Sequence, residues 1–408
     1  MCSTNFQLNK PFFVDPKTGI TRSYLDFFND LNHLWVPVRT RDDYQLIIQF
    51  CQLVLRDKHF CLRNNQLIFE ESTTSNELID AENFLSSFAA SQSQIQLATS
   101  GTTGAPKTIF HNISSLTRGI RVSEGHGKDV WGLAYPTDHL SGLQVLLQAI
   151  MNGNTIVQLF GDSADSIHSA IEKHSITHLS CTPTFLNLLG NGDSSHPQVR
   201  RITTGGESSH SRCKSTIQRL FPNAKYHNIY ALTEVGNLLI SDGDTFSIPE
   251  SLQEFVRIHD GTLAIHQSLL AGNQIKNKNV STSNKWYVTG DLVEVIETSP
   301  LKFKFQSRRD EIINVGGYKV APQTIEQLLL EVNGVQQALV YGKLNSVTGQ
   351  IVACDIVPTP GENLNVDLIR QQLSRRLPSH SVPRLYNLVS SLELTANGKL
   401  CRHKKQSS

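Results

Sequence analysis

Residues 99–108 read TSGTTGAPKT, a hydroxyl- and glycine-rich run closed by a lysine. Ser100, Thr102 and Thr103 bring hydroxyl donors and Lys107 a cation, a set suited to phosphate oxygens. The stretch is not a Walker loop. That loop needs a second glycine where Pro106 stands, and it wraps phosphate with successive backbone N–H groups before entering a helix. Proline has no N–H to give and fixes its own φ. The following TIFHN is β-prone, and the first helix-start signal is the Ser114-Ser115 pair. The spacing therefore predicts a loop between two strands that holds a triphosphate with side chains.

Further motifs follow in order: YPTDHLSG (135–142), TTGGES (203–208), YALTE (230–234), YVTGDL (287–292), SRRDEIINVGGYKVAPQTIE (307–326) and LTANGKLCR (394–402). With the phosphate loop they make seven. Together they resemble the adenylate-forming superfamily of acyl- and aryl-CoA synthetases, peptide-synthetase adenylation domains and luciferases. The resemblance covers about three quarters of the chain and excludes the first ninety residues, giving a compact form with a short N-terminal region.

The resemblance implies a two-step reaction. A carboxylate attacks the α-phosphate of ATP, pyrophosphate leaves, and a thiol then takes the acyl group from the adenylate. The loop Thr99, Ser100, Gly101, Thr102, Thr103, Gly104 with Lys107 would hold the outer phosphates. Tyr230 would offer a face to adenine, Thr233 a hydroxyl to the α-phosphate, and Glu234 a hard oxygen to Mg²⁺. Gly205 and Gly206 would allow close backbone approach to the nucleotide. Asp291 would accept the ribose hydroxyls, with Arg308 beside them. His139 would orient the acyl carboxylate, and Lys399 would bridge carboxylate and α-phosphate, neutralising charge in the transition state. Gly142, Thr204, Ala231 and Leu232 join His139 as candidate walls of the acyl pocket. The family usually has glycine where this chain has Ala231, so the extra methyl narrows that pocket. Asp310 matches a hinge about which a small domain turns between the two steps. Gly316 and Gly317 would then let a pantetheine arm pass, with Lys319 the accompanying basic residue.

Behind these residues, strands and helices alternate from about residue 95. IQLATS, VWGLAYP, TIVQLF, THLSCTP, VRRITTGG and KYHNIYAL read as strands, with SGLQVLLQAIMNG and SADSIHSAIEKHS as helices between them. Earlier, SYLDFFNDL and DDYQLIIQFCQLVL have helical spacing and FCLRNNQLIFE reads as a hairpin through Asn64-Asn65. From about residue 255 three β-rich pieces follow without helices. After Arg309 the order is helix, strand, strand, helix, strand. The expected fold is a large N-terminal α/β domain of layered subdomains with a small β subdomain (residues 1–309), followed by a small mobile α+β domain (residues 310–408). The polar stretch 271–285 reads as an exposed loop.

Thirty-seven basic and 36 acidic residues give a net charge of +1, which offers no field to gather nucleic acid. Seven scattered cysteines include no C-x-x-C pair, which argues for a reducing, cytoplasmic setting without structural zinc. No apolar run reaches the roughly 20 residues of a membrane span. The expected cofactors are ATP and Mg²⁺; the expected partners are a small carboxylic acid and either CoA or the phosphopantetheine of an acyl carrier protein. A nucleotide-binding regulatory module on the same fold is the alternative from another class.

Overall fold

The computed structural model describes residues 6–33, 42–63, 66–69, 79–99, 107–190, 194–207, 211–271, 280–281, 285–395 and 399–402. Its largest sheet has eight strands. In spatial order these are Gly236–Ser241, Lys225–Leu232, Arg201–Gly205, His178–Cys181, Val130–Leu133, Thr155–Gln158, Pro11–Asp15 and Ile20–Ser23. The inner pairs are parallel and the two outermost are antiparallel. Parallel strands covered on both faces must be apolar throughout or satisfied, and every residue of Thr155–Gln158 and His178–Cys181 is buried.

The crossover helix Leu140–Asn152 buries Leu143, Leu146, Leu147 and Ile150, the stripe its 3.6-residue repeat lays on one side. It ends at Gly153, whose φ of +63° is the left-handed cap glycine favours. Helix Ala164–Lys173 is capped by Ser163, whose hydroxyl accepts the Ser166 N–H.

Four strands make a second sheet in the order Gln66–Phe69, Phe60–Arg63, Ile95–Thr99, Lys107–His111. The two strands of the expected hairpin pair with Arg63 opposite Gln66, while Asn64 and Asn65 lie outside the described residues. Strands Ile95–Thr99 and Lys107–His111 are antiparallel with Thr99 opposite Lys107, so the strand expectation on either side of the phosphate loop holds. Residues 100–106 themselves lie outside the described residues, as do the side chains of Thr99 and Lys107. The helix after this pair spans Ile113–Thr117 and is capped by Asn112 in a capping box with Ser115, so the Ser114-Ser115 reading was two residues late.

The β-rich region forms a six-stranded antiparallel sheet around Thr262–His266, Trp286–Thr298 and Leu301–Arg308. Most of the polar stretch 271–285 lies outside the described residues, and Val280–Ser281 pairs with the strand start at Trp286. Beyond the turn Arg309–Glu311 comes a five-stranded sheet with helices Pro322–Leu330 and Val366–Ser374. It has its own core, including Ile325, Leu329, Val340, Ile356 and Ile369.

The strands Gly236–Ser241 and Thr245–Ser247 were not foreseen, and neither were two hairpins. Pro11–Asp15 and Ile20–Ser23 close the edge of the main sheet, and the partner of Pro11–Asp15 is Thr155–Gln158, far along the chain. The segment NVGGYK, where no strand was expected, is a hairpin of Ile313–Val315 and Tyr318–Val320. Gly316 and Gly317 make its turn with φ of +58° and +93°, the left-handed pair a two-residue hairpin loop requires.

Candidate active site

Two of the sequence motifs become neighbours because their strands are parallel. Thr203 stands opposite His227 and Gly205 opposite Ile229, so TTGG and YALTE run side by side. Alternate side chains share a face. Arg201, Thr203 and Gly205 from one strand and His227, Ile229 and Ala231 from the next line a single cavity of about 330 Å³. The loop 135–139 and the start of helix Leu140–Asn152 supply its other wall, including Tyr135, His139 and Leu140. That loop is held from the N-terminal region. Asp43, on helix Asp43–Leu55, accepts hydrogen bonds from the Thr137 hydroxyl and from the Gln158 amide at 2.6 Å.

Lys399 reaches the same cavity. A methyl group on Gly206 would sit 2.9 Å from Lys399 Cε and 3.0 Å from its Nζ, so the ammonium packs on the bare glycine backbone. Gly206 also has a φ of +81°, so both its conformation and its contact require glycine. Burial pushes the Lys399 ammonium below the ordinary lysine pKa; Glu207 opposes this and Arg308 adds to it.

The tail is fastened at several points. Glu207 accepts the Leu400 N–H at 3.3 Å with one oxygen and the Thr184 hydroxyl at 2.7 Å with the other. Thr395 N–H donates to the Lys399 carbonyl at 2.7 Å. Arg402 bridges Glu311, at 3.1 Å, and Glu326. These groups line a second cavity of about 270 Å³ that adjoins Gly206, Arg308 and Lys399.

Asp291 is 2% exposed and receives the Tyr230 hydroxyl at 2.5 Å, while Arg308 Nε lies 3.1 Å from its other oxygen. Burial raises the Asp291 pKa and the Arg308 charge pulls it back. That second oxygen, Oδ1, is buried with Arg308 as its ion-pair partner, and Asp291 itself lines neither cavity. Tyr230 is itself 9% exposed, with its ring edge-on to Phe246 at 6.1 Å. Glu234 accepts the Tyr287 hydroxyl at 2.7 Å through Oε1, leaving its second oxygen for a hard cation. On this donor set Mg²⁺ fits.

Of the sequence-derived residues, His139, Thr204, Gly205, Gly206, Ala231, Leu232, Thr233 and Lys399 meet around the first cavity. Gly142 does not line it. A methyl there would lie 2.0 Å from the Pro136 carbonyl oxygen, so this glycine serves the packing of the helix start on residues 136–137. Asp310 is exposed in the turn Arg309–Glu311, and Gly316, Gly317 and Lys319 sit on the exposed hairpin, apart from both cavities.

Sequence reasoning passed over several residues. Glu207 stands inside TTGGES and anchors the tail. His111 lies at the end of the strand after the phosphate loop, and its Nε2–H donates to the Thr233 carbonyl at 2.7 Å. Since Nε2 is the donor, the neutral ring accepts at Nδ1 from the Ser115 hydroxyl, 3.1 Å away. Burial lowers its pKa, which favours that neutral form. Neither residue has a distinctive spacing; only tertiary contact shows what it does. His126, Asp129 and His178 also converge, but Asp129 is spent on hydrogen bonds and ion pairs to both histidines and Arg200.

The chain matches the family described as AMP-binding enzyme over residues 66–253 and the AMP-binding enzyme C-terminal domain over residues 324–399. A 2-succinylbenzoate–CoA ligase of Staphylococcus aureus (strain MRSA252) is 28% identical over 332 residues, 75% of this chain and 65% of the relative. The match thus spans just under two thirds of that relative's length. The corresponding ligase of Staphylococcus epidermidis is 27% identical over 331 residues, 76% of this chain and 68% of its own. Among solved structures, o-succinylbenzoate CoA synthetase from Bacillus subtilis with its acyl-adenylate intermediate superimposes with a TM-score of 0.69 at 17% identity, covering 98% of this chain and 96% of that one. An anthranilate CoA ligase bound to anthranoyl-AMP gives 0.71 at 15% identity, covering 98% and 94%. With both of its models matched in order along the sequence, this chain belongs to the AMP-binding enzyme family.

Proposed function

We propose that this protein is an ATP- and Mg²⁺-dependent acid–thiol ligase that makes an acyl- or aryl-CoA. One observation carries the reading. The Lys399 ammonium, delivered by a fastened tail, stands on Gly206 in the cavity that His139 and Thr233 also line. A carboxylate in that cavity meets an ammonium that offsets the repulsion of two anions as its oxygen approaches the α-phosphorus. His139 orients the carboxylate, Thr233 donates to the α-phosphate, and Asp291, with Tyr230 and Arg308 holding its carboxyl, takes the ribose hydroxyls. Glu234 holds Mg²⁺, which neutralises phosphate charge when bound. The loop of Ser100, Thr102, Thr103 and Lys107 grips the outer phosphates.

Residues 1–309 are the adenylation core and residues 310–408 the mobile domain, turning about Asp310. That turn removes Lys399 and presents Gly316, Gly317 and Lys319 to the pantetheine arm. CoA is the acceptor: the relatives are named CoA ligases, and the carrier-protein reading has no support among them. Among the described residues no helix is long and apolar enough to cross a membrane. The free cysteines Cys51, Cys61, Cys181, Cys213, Cys354 and Cys401 support a reducing, cytoplasmic setting.

The test is acid-dependent ATP–pyrophosphate exchange over a panel that begins with 2-succinylbenzoate, the acid in the relatives' names, and includes anthranilate. Exchange with at least one acid, lost in Lys399→Ala and Glu234→Ala, is expected. Nucleotide binding without exchange under any acid would instead favour the regulatory-module reading.

A further inference from the structure

The wall of the cavity that carries His139 is held by a part of the chain ahead of the AMP-binding match, which begins at residue 66. Asp43 is the point of attachment. It is the first residue of helix Asp43–Leu55, whose cap is Asp42: the Asp42 carboxylate accepts the N–H groups of Tyr44 at 2.8 Å and Gln45 at 3.2 Å. The next carboxylate is not needed by its own helix and serves the fold instead. One oxygen of Asp43 accepts the Thr137 hydroxyl, and the other accepts the Gln158 Nε2–H at 2.6 Å. A carboxylate only accepts, so two donors, one to each oxygen, match it. Burial raises the Asp43 pKa, and these two hydrogen bonds pull it back.

Asp43 and Gln158 are themselves fixed. The helix of Asp43 is seated in the core by Leu46, Ile47, Phe50 and Leu53, and Tyr44 donates its hydroxyl to Asp30 at 2.7 Å. Gln158 ends the strand Thr155–Gln158, and its Oε1 accepts the N–H groups of Leu159 at 3.0 Å and Phe160 at 3.1 Å, so the amide cannot turn away. Thr137 is 2% exposed and stands two residues before His139, which is the N-cap residue of helix Leu140–Asn152 and lines the cavity. Within the loop, the His139 N–H donates to the Pro136 carbonyl at 3.3 Å, a local bond that would travel with the loop. The bond to Asp43 ties the loop to an element 94 residues away. Thr233, Glu234 and Asp291, on the nucleotide side, belong to other segments.

We propose that Asp43 is a positioning residue for adenylation: by gripping Thr137 it holds residues 135–139 in place and so aims His139 at the carboxylate of the acid. The N-terminal segment thereby completes the acyl side of the site. This role rests on the ligase reading above. Asp43 lines neither cavity; it acts through Thr137 and then through His139. A shift of about 1 Å at a group that orients the reacting carboxylate costs about a hundredfold in rate, so loss of the tether falls on the acid and not on ATP.

The test is pyrophosphate exchange with an acid that wild type activates, beside hydrogen–deuterium exchange of residues 135–143. Asp43→Ala is expected to lower kcat/KM for the acid by about tenfold to hundredfold while the KM for ATP stays within about twofold, and to speed deuteration of the loop. Thr137→Val removes the hydroxyl and is expected to do the same, with the double variant no worse than either single one. Asp43→Asn is expected to recover most of the loss, because its oxygen can accept from Gln158 and its amide can donate to the Thr137 hydroxyl. Since Asp43 acts through His139, Asp43→Ala made in a His139→Ala background is expected to change kcat/KM for the acid by less than about twofold. Wild-type kinetics in Asp43→Ala, equal losses toward ATP and the acid, or a full further loss in the His139→Ala background overturns the proposal. If wild type activates no acid, the ligase reading fails. Deuteration then decides the tether: faster exchange in Asp43→Ala but not in Asp43→Asn upholds it, and unchanged exchange refutes it.

Discussion

Arg402→Met tests how Lys399, the proposed catalytic lysine, is held. Arg402, Glu311 and Glu326 have side chains only 13%, 14% and 10% exposed. Arg402 ties the tail, three residues past Lys399, to helix Pro322–Leu330 and to the turn Arg309–Glu311. Removing it leaves Glu326 as a buried carboxylate whose remaining partner is the Val340 N–H, at 2.7 Å. Breaking one side of such a pair costs about 3 kcal/mol. Yet burial outweighs Arg402 in its effect on Glu326, whose pKa is raised overall. Burial lowers Arg402's own pKa, but Glu326 and Glu311 outweigh it and raise that pKa overall, so what Arg402→Met chiefly costs is the carboxylate left unpaired, and Glu326→Gln combined with Arg402→Met should regain most of the lost stability. Activity should not follow. A tail free to shift by about 1 Å misplaces the ammonium and costs about a hundredfold in the adenylation step. The assay is pyrophosphate exchange beside urea denaturation for wild type, both single variants and the double. The three groups are in contact, so their effects will not add. Full exchange in Arg402→Met would refute the positioning role. Recovery of exchange together with stability in the double variant would show that the loss was merely unfolding.

Three further outcomes are expected. Tyr230→Phe removes the hydroxyl 2.5 Å from Asp291 and should weaken AMP binding by about 1–2 kcal/mol; calorimetry showing unchanged affinity would dissociate Asp291 from the ribose. Gly142→Ala drives a methyl onto the Pro136 carbonyl and should lower stability by about 1–3 kcal/mol while raising the KM for the acid, because the displaced loop carries His139; a wild-type Tm would contradict that packing. His178 is 5% exposed and burial lowers its pKa to about 4, against 6.5 unfolded. Between those values the unfolded chain binds more protons, so stability falls as pH drops from about 6.5 to 4. The lowering of about 2.5 units amounts to about 3 kcal/mol, and His178→Asn should flatten that limb in denaturation curves taken across the range.

Much of the architecture was legible in local pattern. Leu140–Asn152 showed itself by helical spacing and Gly153, and the parallel strands by short apolar runs between helices. The hairpin Pro11–Asp15/Ile20–Ser23 was missed because what holds it is Thr155–Gln158, a partner no local window contains. NVGGYK was missed as a hairpin for a different reason: its three-residue strands are too short to show a period.

The site divides along the same line. Residue types in order, from the Ser/Thr/Lys loop through Thr233-Glu234 and Asp291 to Lys399, pointed to the proposed chemistry, since phosphate, metal and carboxylate each demand particular donors or acceptors. Sequence also made Gly142 look like a pocket wall, where the fold uses it to pack a helix on a backbone carbonyl. What only tertiary structure decided was company. Parallel pairing set Arg201, Thr203 and Gly205 beside His227, Ile229 and Ala231 around one cavity, which Lys399 reaches from the far end of the chain. Charge at a distance is invisible in a linear pattern because its energy depends on separation in space and on burial, and folding alone sets both.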